Sequence, residues 1–320
     1  MRWRETSYTQ YWPKCVLLIA LLLAACQTGE PATQQAKSEK RQLLLDLAMS
    51  PTSASWKDNE TLIVTLPLGF TSTVRFLRAY RPNSRLFIFH SGHAKGPREE
   101  LESITLVEAL LDSGYDVAWL FMPLLNLNEL PGSCSQESRV TACLPCYYEP
   151  TQLCMFDHDW LALLGYDKPI AFFVAPVVTV LDELASNYST TYMTGFSGGG
   201  WTTHMAAALD ERITKSYPIA GSLPIEARGL ACGELEQCWP DEHSDFSYTT
   251  LYRMATDNNR IQRMILNENE AYFPPPKSCA WCEEIKTDTA SRWQLIVDTV
   301  PQRHTVSRWT VQYILSSASQ

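Results

Sequence analysis

Thr191-Tyr-Met-Thr-Gly-Phe-Ser-Gly-Gly-Gly-Trp201 is the stretch from which the fold is read. Residues Thr191 to Thr194 pattern as a short strand, and Trp201 to Leu209 as an alanine-rich helix. Between them, Gly195-Phe196-Ser197-Gly198-Gly199 fits G-x-S-x-G. A serine at a strand-to-helix corner sits on strained backbone with its hydroxyl exposed, and small neighbours let the two elements pass closely. The chain has only 14 glycines in 320 residues, yet four fall between 195 and 200. That concentration needs a local cause. A phosphate cradle is the competing chemistry, but no Lys-Ser/Thr ending follows and there is no dinucleotide fingerprint. A purely structural glycine-rich turn is the plainest alternative.

Outward from this corner, strand and helix patterns alternate. Thr61 to Leu66 and Ser72 to Leu77 are predicted as paired strands, and Leu86 to Phe89 and Tyr115 to Phe121 as short buried ones. Glu99 to Leu111 carries apolar residues at helical spacing and stops at Ser113-Gly114. A helix is expected over Ile170 to Ala185, with Pro176 kinking it or marking its first turn. Ile213 to Ile219, Met264 to Leu266 and Trp293 to Val297 follow as strands, and Ser307 to Leu315 as the last helix. Short apolar strands alternating with amphipathic helices predict an α/β fold: a mostly parallel central sheet with helices on both faces. Two Cys-, Pro- and Glu-rich segments, 125–156 and 223–248, break the rhythm and are read as insertions over one end of the sheet.

A neutral serine hydroxyl needs a base, and the base needs an orienting acid. Downstream of Ser197 stand three histidines, His204, His243 and His304. His204 lies two turns along the helix that leaves the serine, and His243 sits in an insertion with no strand before it. His304 follows the last strand and precedes the terminal helix, which makes it the candidate base. Glu270, just past the preceding strand and 34 residues before His304, is the preferred acid. Glu268 and Asp288 stay open as substitutes, whereas Asp298 is only six residues from His304.

With these residues in place, the chain resembles the α/β-hydrolase superfamily over about 60–315, within its serine esterase, lipase and prolyl-oligopeptidase-like branches. The resemblance rests on Gly195 to Gly199, His304 and the order of elements. It implies an oxyanion hole made by the backbone N–H of Gly198 and a second donor from His90-Ser91-Gly92-His93-Ala94, where His93 is the candidate. That loop departs from the family's familiar His-Gly-Gly-Gly. No metal and no organic cofactor are implied. With no propeller or other gating domain, ester hydrolysis is favoured over peptide cleavage. A binding or adhesion lipoprotein that has lost catalysis is the alternative from another class.

Composition adds exclusions. With 35 acidic and 26 basic residues the formal charge is -9, and hydrophobic residues make up 45%. Such a chain has enough apolar material to fold, and it has no basic patch for nucleic acid. Arg2, Arg4 and Lys14 precede an apolar run, Cys15 to Ala25, that is too short to span a bilayer and reads as an export signal over 1–25. Its end, Leu23-Ala24-Ala25-Cys26, resembles the lipobox of bacterial lipoproteins, which implies lipidation at Cys26. Gln27 resembles sorting to the outer membrane, with the domain facing the periplasm or the cell surface. Residues 26–45 are then a solvated tether and 46–320 the folded domain.

Of ten cysteines, one leaves with the signal and one takes lipid. The remaining eight suggest disulfides in an exported chain: Cys134, Cys143, Cys146 and Cys154 in one insertion, Cys232 and Cys238 in the other, and Cys279-Ala-Trp-Cys282 beyond Glu270. A zinc site among the first four, with His158 nearby, and redox chemistry at Cys-x-x-Cys are the sharper alternatives. The redox reading wants a pair that opens a helix after a strand, and neither pair is expected to do so. Trp201, Trp239 and Trp281 are candidates for a sugar-stacking cleft, with core packing as the plainer reading.

Overall fold

The computed structural model describes residues 34–93, 97–128, 158, 161, 166–228, 235–242 and 244–320. Nine strands form one sheet: β1 (Ser53–Trp56), β2 (Thr61–Thr65), β3 (Thr71–Leu77), β4 (Arg85–His90), β5 (Asp116–Leu120), β6 (Thr190–Phe196), β7 (Ile213–Ile219), β8 (Ile261–Asn267) and β9 (Trp293–Asp298). Their order is β1-β2-β3-β5-β4-β6-β7-β8-β9. Pairings from β1 through β3 to β5 are antiparallel, and the rest of the sheet is parallel. The burial of each strand explains its place. Every residue of β5 is buried, as suits a central strand covered on both faces, whereas β2 and β3 alternate because one face meets solvent.

Nine helices are described: α1 (Gln34–Ala48), α2 (Pro97–Asp112), α3 (Ala171–Leu184), α4 (Gly198–Leu209), α5 (Ile225–Arg228), α6 (Leu235–Glu242), α7 (Tyr248–Met254), α8 (Ala280–Asp288) and α9 (Arg308–Ser319). Leu106, Val107 and Leu110 of α2 and Val311 and Ile314 of α9 build the core on one face of the sheet. On the other face, α3, α4, α7 and α8 contribute Phe173, Met205, Tyr252 and Ile285. Pro176 lies inside α3 rather than at its start.

The chain divides into compact units at Gln42/Leu43, and the sheet belongs entirely to Leu43–Gln320. Helix α1 extends into the stretch whose polar composition reads as tether. Leu44 and Ala48, four residues apart on one helical face, are both fully buried in the core cluster. Among the described residues no helix is long and apolar enough to cross a membrane. The leader, Cys26, Cys134, Cys143, Cys146, Cys154, Cys232 and His243 lie outside the described residues.

Along the sheet, strand order reverses between β4 and β6, where the chain leaves β4 toward β5 and leaves β6 toward β7. Ligand sites in open α/β sheets lie at the carboxyl ends of the strands flanking such a reversal. Ser91 to His93 follow β4 there, and Ser197 follows β6.

Candidate active site

Ser197 joins β6 to α4 with φ 57° and ψ -126°, a left-handed backbone that a non-glycine residue rarely adopts. Three contacts hold it there: its N–H donates to the Ile219 carbonyl at 2.9 Å, and its carbonyl accepts from Gly200 N–H at 2.8 Å and from Trp201 N–H at 3.1 Å. The crossing leaves no space for side chains. A Cβ on Gly199 would stand 2.0 Å from the His90 carbonyl oxygen, and one on Gly92 would stand 2.7 Å from Ser197 Cβ. The glycines are therefore required by contact. Gly198 opens α4, so its N–H has no partner within that helix, and the helix dipole favours negative charge at this end.

At the other end of α4, Arg260 is buried. Its guanidinium donates to the carbonyls of Ala207 at 2.5 Å, Asp210 at 3.3 Å and Asp257 at 3.0 Å, and also to that of Met254. A cation there complements the negative end of the same dipole.

His304 and Glu270 come from loops beyond β9 and β8. His304 Nδ1 lies 2.6 Å from Glu270 Oε2, and the glutamate side chain is fully buried. The carboxylate is held on its other side by the Phe273 N–H, which donates to Oε1 at 2.8 Å. Asn267, the last residue of β8, donates from Nδ2 to the Thr305 carbonyl at 2.8 Å and to Glu270 Oε2 at 3.4 Å. One amide thus ties the acid to the loop that carries the imidazole. Phe196, immediately before Ser197, lies 4.5 Å from the His304 ring between centroids, and Tyr272 lies 5.2 Å from it.

The other acids sit elsewhere. Glu268 is exposed, and Asp288 pairs with Arg253 at 2.8 Å on the surface. Asp298 is buried and accepts from Ser307 Oγ and from Thr310 Oγ1 at 2.6 Å, closing the start of α9.

His93 borders Gly198: a Cβ on that glycine would stand 2.7 Å from His93 Cε1 and 2.8 Å from Nδ1. Two further histidines are fully buried. Desolvation pushes His90 down to about 4, its Nδ1–H donating to the Ser91 carbonyl at 2.8 Å. His204 is pushed down to about 3 by the same cause, among Tyr248 and Tyr252. His204 is a core residue, in keeping with its position two turns beyond the serine.

Solved structures with this arrangement of elements can be named. Est1E from Butyrivibrio proteoclasticus aligns with a TM-score of 0.50 at 13% identity, over 81% of this chain and 96% of its own. An acetyl xylan esterase from Paenibacillus sp. R4 gives 0.52 at 11%, over 91% and 95%. A glucuronoyl esterase from Solibacter usitatus gives 0.55 at 12%, over 91% and 93%. The fold is that of the α/β-hydrolases. No family model and no curated protein matches the sequence. The likeness is therefore one of architecture.

One alternative falls away and one expectation changes. Trp201 and Trp239 are buried in the core, and Trp281 packs on Tyr252 and Trp293 at 5.8 Å, so the three do not line a sugar cleft. Their apolar area is spent on the face of the sheet that α4 covers. Cys279 and Cys282 form a disulfide, and Cys279 directly precedes α8, so this pair does open a helix. The apolar spacing of α8 is weak, with only Cys282 and Ile285 buried, which hides the helix from its pattern. Cys238 is also disulfide-bonded.

Two participants escaped the sequence reading. Asn267 carries no motif and ends a strand otherwise recognised by apolar residues. Glu236 lies in an insertion without periodicity, yet its side chain is fully buried beside His158 and His93.

Proposed function

We propose that this protein is a serine hydrolase that cleaves carboxylic esters through an acyl-enzyme. The reading is carried by the 2.6 Å contact of His304 Nδ1 with Glu270 Oε2, made at the sheet end where Ser197 holds its left-handed turn. In the mechanism, Ser197 Oγ attacks the ester carbonyl carbon while His304 Nε2 takes the hydroxyl proton. Glu270 holds the imidazole by its Nδ1–H and stabilises the cation that forms. Negative charge on the carbonyl oxygen is received by the N–H of Gly198 and the backbone N–H of His93. Each such donor is worth about 3 kcal/mol in the transition state, where the charge first appears. His304 then gives its proton to the leaving alkoxide, and water repeats the cycle on the acyl-serine.

Acetylated xylan and glucuronoyl esters are the substrates to test first, because the structural neighbours named above include an acetyl xylan esterase and a glucuronoyl esterase. Anchoring at Cys26 after removal of residues 1–25 would place the domain at a bacterial outer membrane. A fluorophosphonate probe should label the mature domain, and Ser197→Ala should abolish both labelling and turnover of short acyl esters. Absence of serine-dependent labelling and of turnover would leave a binding lipoprotein on a hydrolase fold. Cys26→Ser should release the protein from the membrane fraction, and unchanged partitioning would exclude the anchor.

A further inference from the structure

At Nε2 of the His93 ring, three side chains from three separate segments converge. His93 Nε2 lies 3.2 Å from His158 Nδ1 and 3.9 Å from Glu236 Oε1. His158 Nδ1 lies 3.2 Å from Glu236 Oε2. The side chains of His158 and Glu236 are fully buried, and that of His93 is 11% exposed. We propose that His93, His158 and Glu236 form a binding site for one Zn2+ ion.

Chemistry, beyond proximity, carries this. His158 Nε2 lies 3.2 Å from the Pro123 carbonyl oxygen, which can only accept, so that nitrogen bears the proton. In a neutral imidazole the other nitrogen, Nδ1, is then a lone pair. It faces a carboxylate oxygen of Glu236, also an acceptor, at 3.2 Å. A metal ion between the two would be bound by both. A histidine that donates one N–H to a carbonyl and offers the other nitrogen forward has the tautomer and orientation of a metal ligand.

The spacing fits as well. Tetrahedral Zn2+ with nitrogen and oxygen donors at 2.0–2.1 Å sets those donors about 3.4 Å apart. The three ligand atoms here all lie within 4.8 Å of one another, with the closest pairs at 3.2 Å. Two imidazoles and a carboxylate suit Zn2+ in preference to Ca2+ or Mg2+, which favour oxygen donors throughout. The described residues supply three ligands, and a tetrahedral ion takes a fourth.

Such an ion would do two things. It would join the loop after β4 to His158, two residues past the first insertion, and to Glu236 on α6 in the second. It would also hold Nε2 of His93, leaving the ring proton on Nδ1, the edge that borders Gly198. Acting through this side chain, the ion would position the loop after β4 beside Gly198. This second consequence rests on the ester-hydrolase reading, whereas the site itself does not.

The test uses the mature domain bearing Ser197→Ala, so that it stands apart from catalysis. After dialysis against a chelator, Zn2+ is returned and its content measured by mass spectrometry, with binding followed by calorimetry. One ion per chain is expected, with a rise in Tm. Co2+ in its place should give the intense visible bands of a four-coordinate ion without a thiolate charge-transfer band, which sets this site apart from the cysteines. Glu236→Gln keeps the side-chain volume and should lower affinity at least a hundredfold while the circular dichroism spectrum is retained; His158→Gln should act alike. Substoichiometric Zn2+, cysteine-type Co2+ bands, or undiminished binding by Glu236→Gln would overturn the proposal. The same donors would then be sharing a proton as a buried imidazolium–carboxylate pair.

Discussion

Acidification from pH 7 to pH 5 should destabilise the fold by about 2 kcal/mol through His204 alone. The unfolded imidazole, at its ordinary value of 6.5, takes up a proton across this interval. In the folded chain burial holds the ring down to about 3, so it stays neutral there. The unfolded state therefore binds more protons, and stability falls as the pH falls, starting near 6.5 and levelling off near 3. Each pH unit below 6.5 is worth about 1.4 kcal/mol, and one and a half units give the stated figure. His90, held down to about 4, adds a similar amount by pH 5. Urea denaturation at pH 7, 6 and 5 should be compared between the parent and His204→Phe. Whatever that substitution costs at pH 7 cancels, because only the dependence on pH is read. The parent should lose about 2 kcal/mol more than the variant. Equal losses, to within about 0.5 kcal/mol, would mean that His204 is not a buried neutral ring.

Glu270→Gln should retain the fold and lower kcat on a short acyl ester by about 10³ to 10⁴-fold, since the amide cannot hold the imidazole in its tautomer or balance its charge. Asn267→Leu should lower kcat by about tenfold to a hundredfold with KM little changed, because the amide bridging Glu270 and the Thr305 carbonyl is lost while the pocket is untouched. Gly199→Ala should reduce stability by about 1–3 kcal/mol in urea melts, given a Cβ placed 2.0 Å from the His90 carbonyl oxygen.

Much of the architecture is legible from the chain because buried parallel strands have to be short, apolar and free of polar alternation. Leu86 to Phe89 and Ile213 to Ile219 show this plainly. β1 does not, since Ser53–Trp56 is a mostly exposed edge strand whose pairing comes from β2 and not from its own pattern. The serine corner announces itself because close backbone crossing admits only glycine. Glu270 and His304 could be chosen by chain order and element position, and the structure brings them to 2.6 Å. The His93, His158 and Glu236 group was not visible as a set. Its members lie 65 and 78 residues apart in sequence, one of them in an insertion without periodicity, and only the fold brings them together.

The four carbonyls served by Arg260 bear on how this sequence can drift. One planar fork reaches the end of the serine-bearing helix, the turn beyond it and two points near α7 at once. A lysine keeps the charge but offers three donors from a single nitrogen, which cannot span that set. The position is therefore one where even the mildest substitution strands buried acceptors. Drift at this position is expected to be narrower than at an exposed arginine, because one change unpairs four carbonyls.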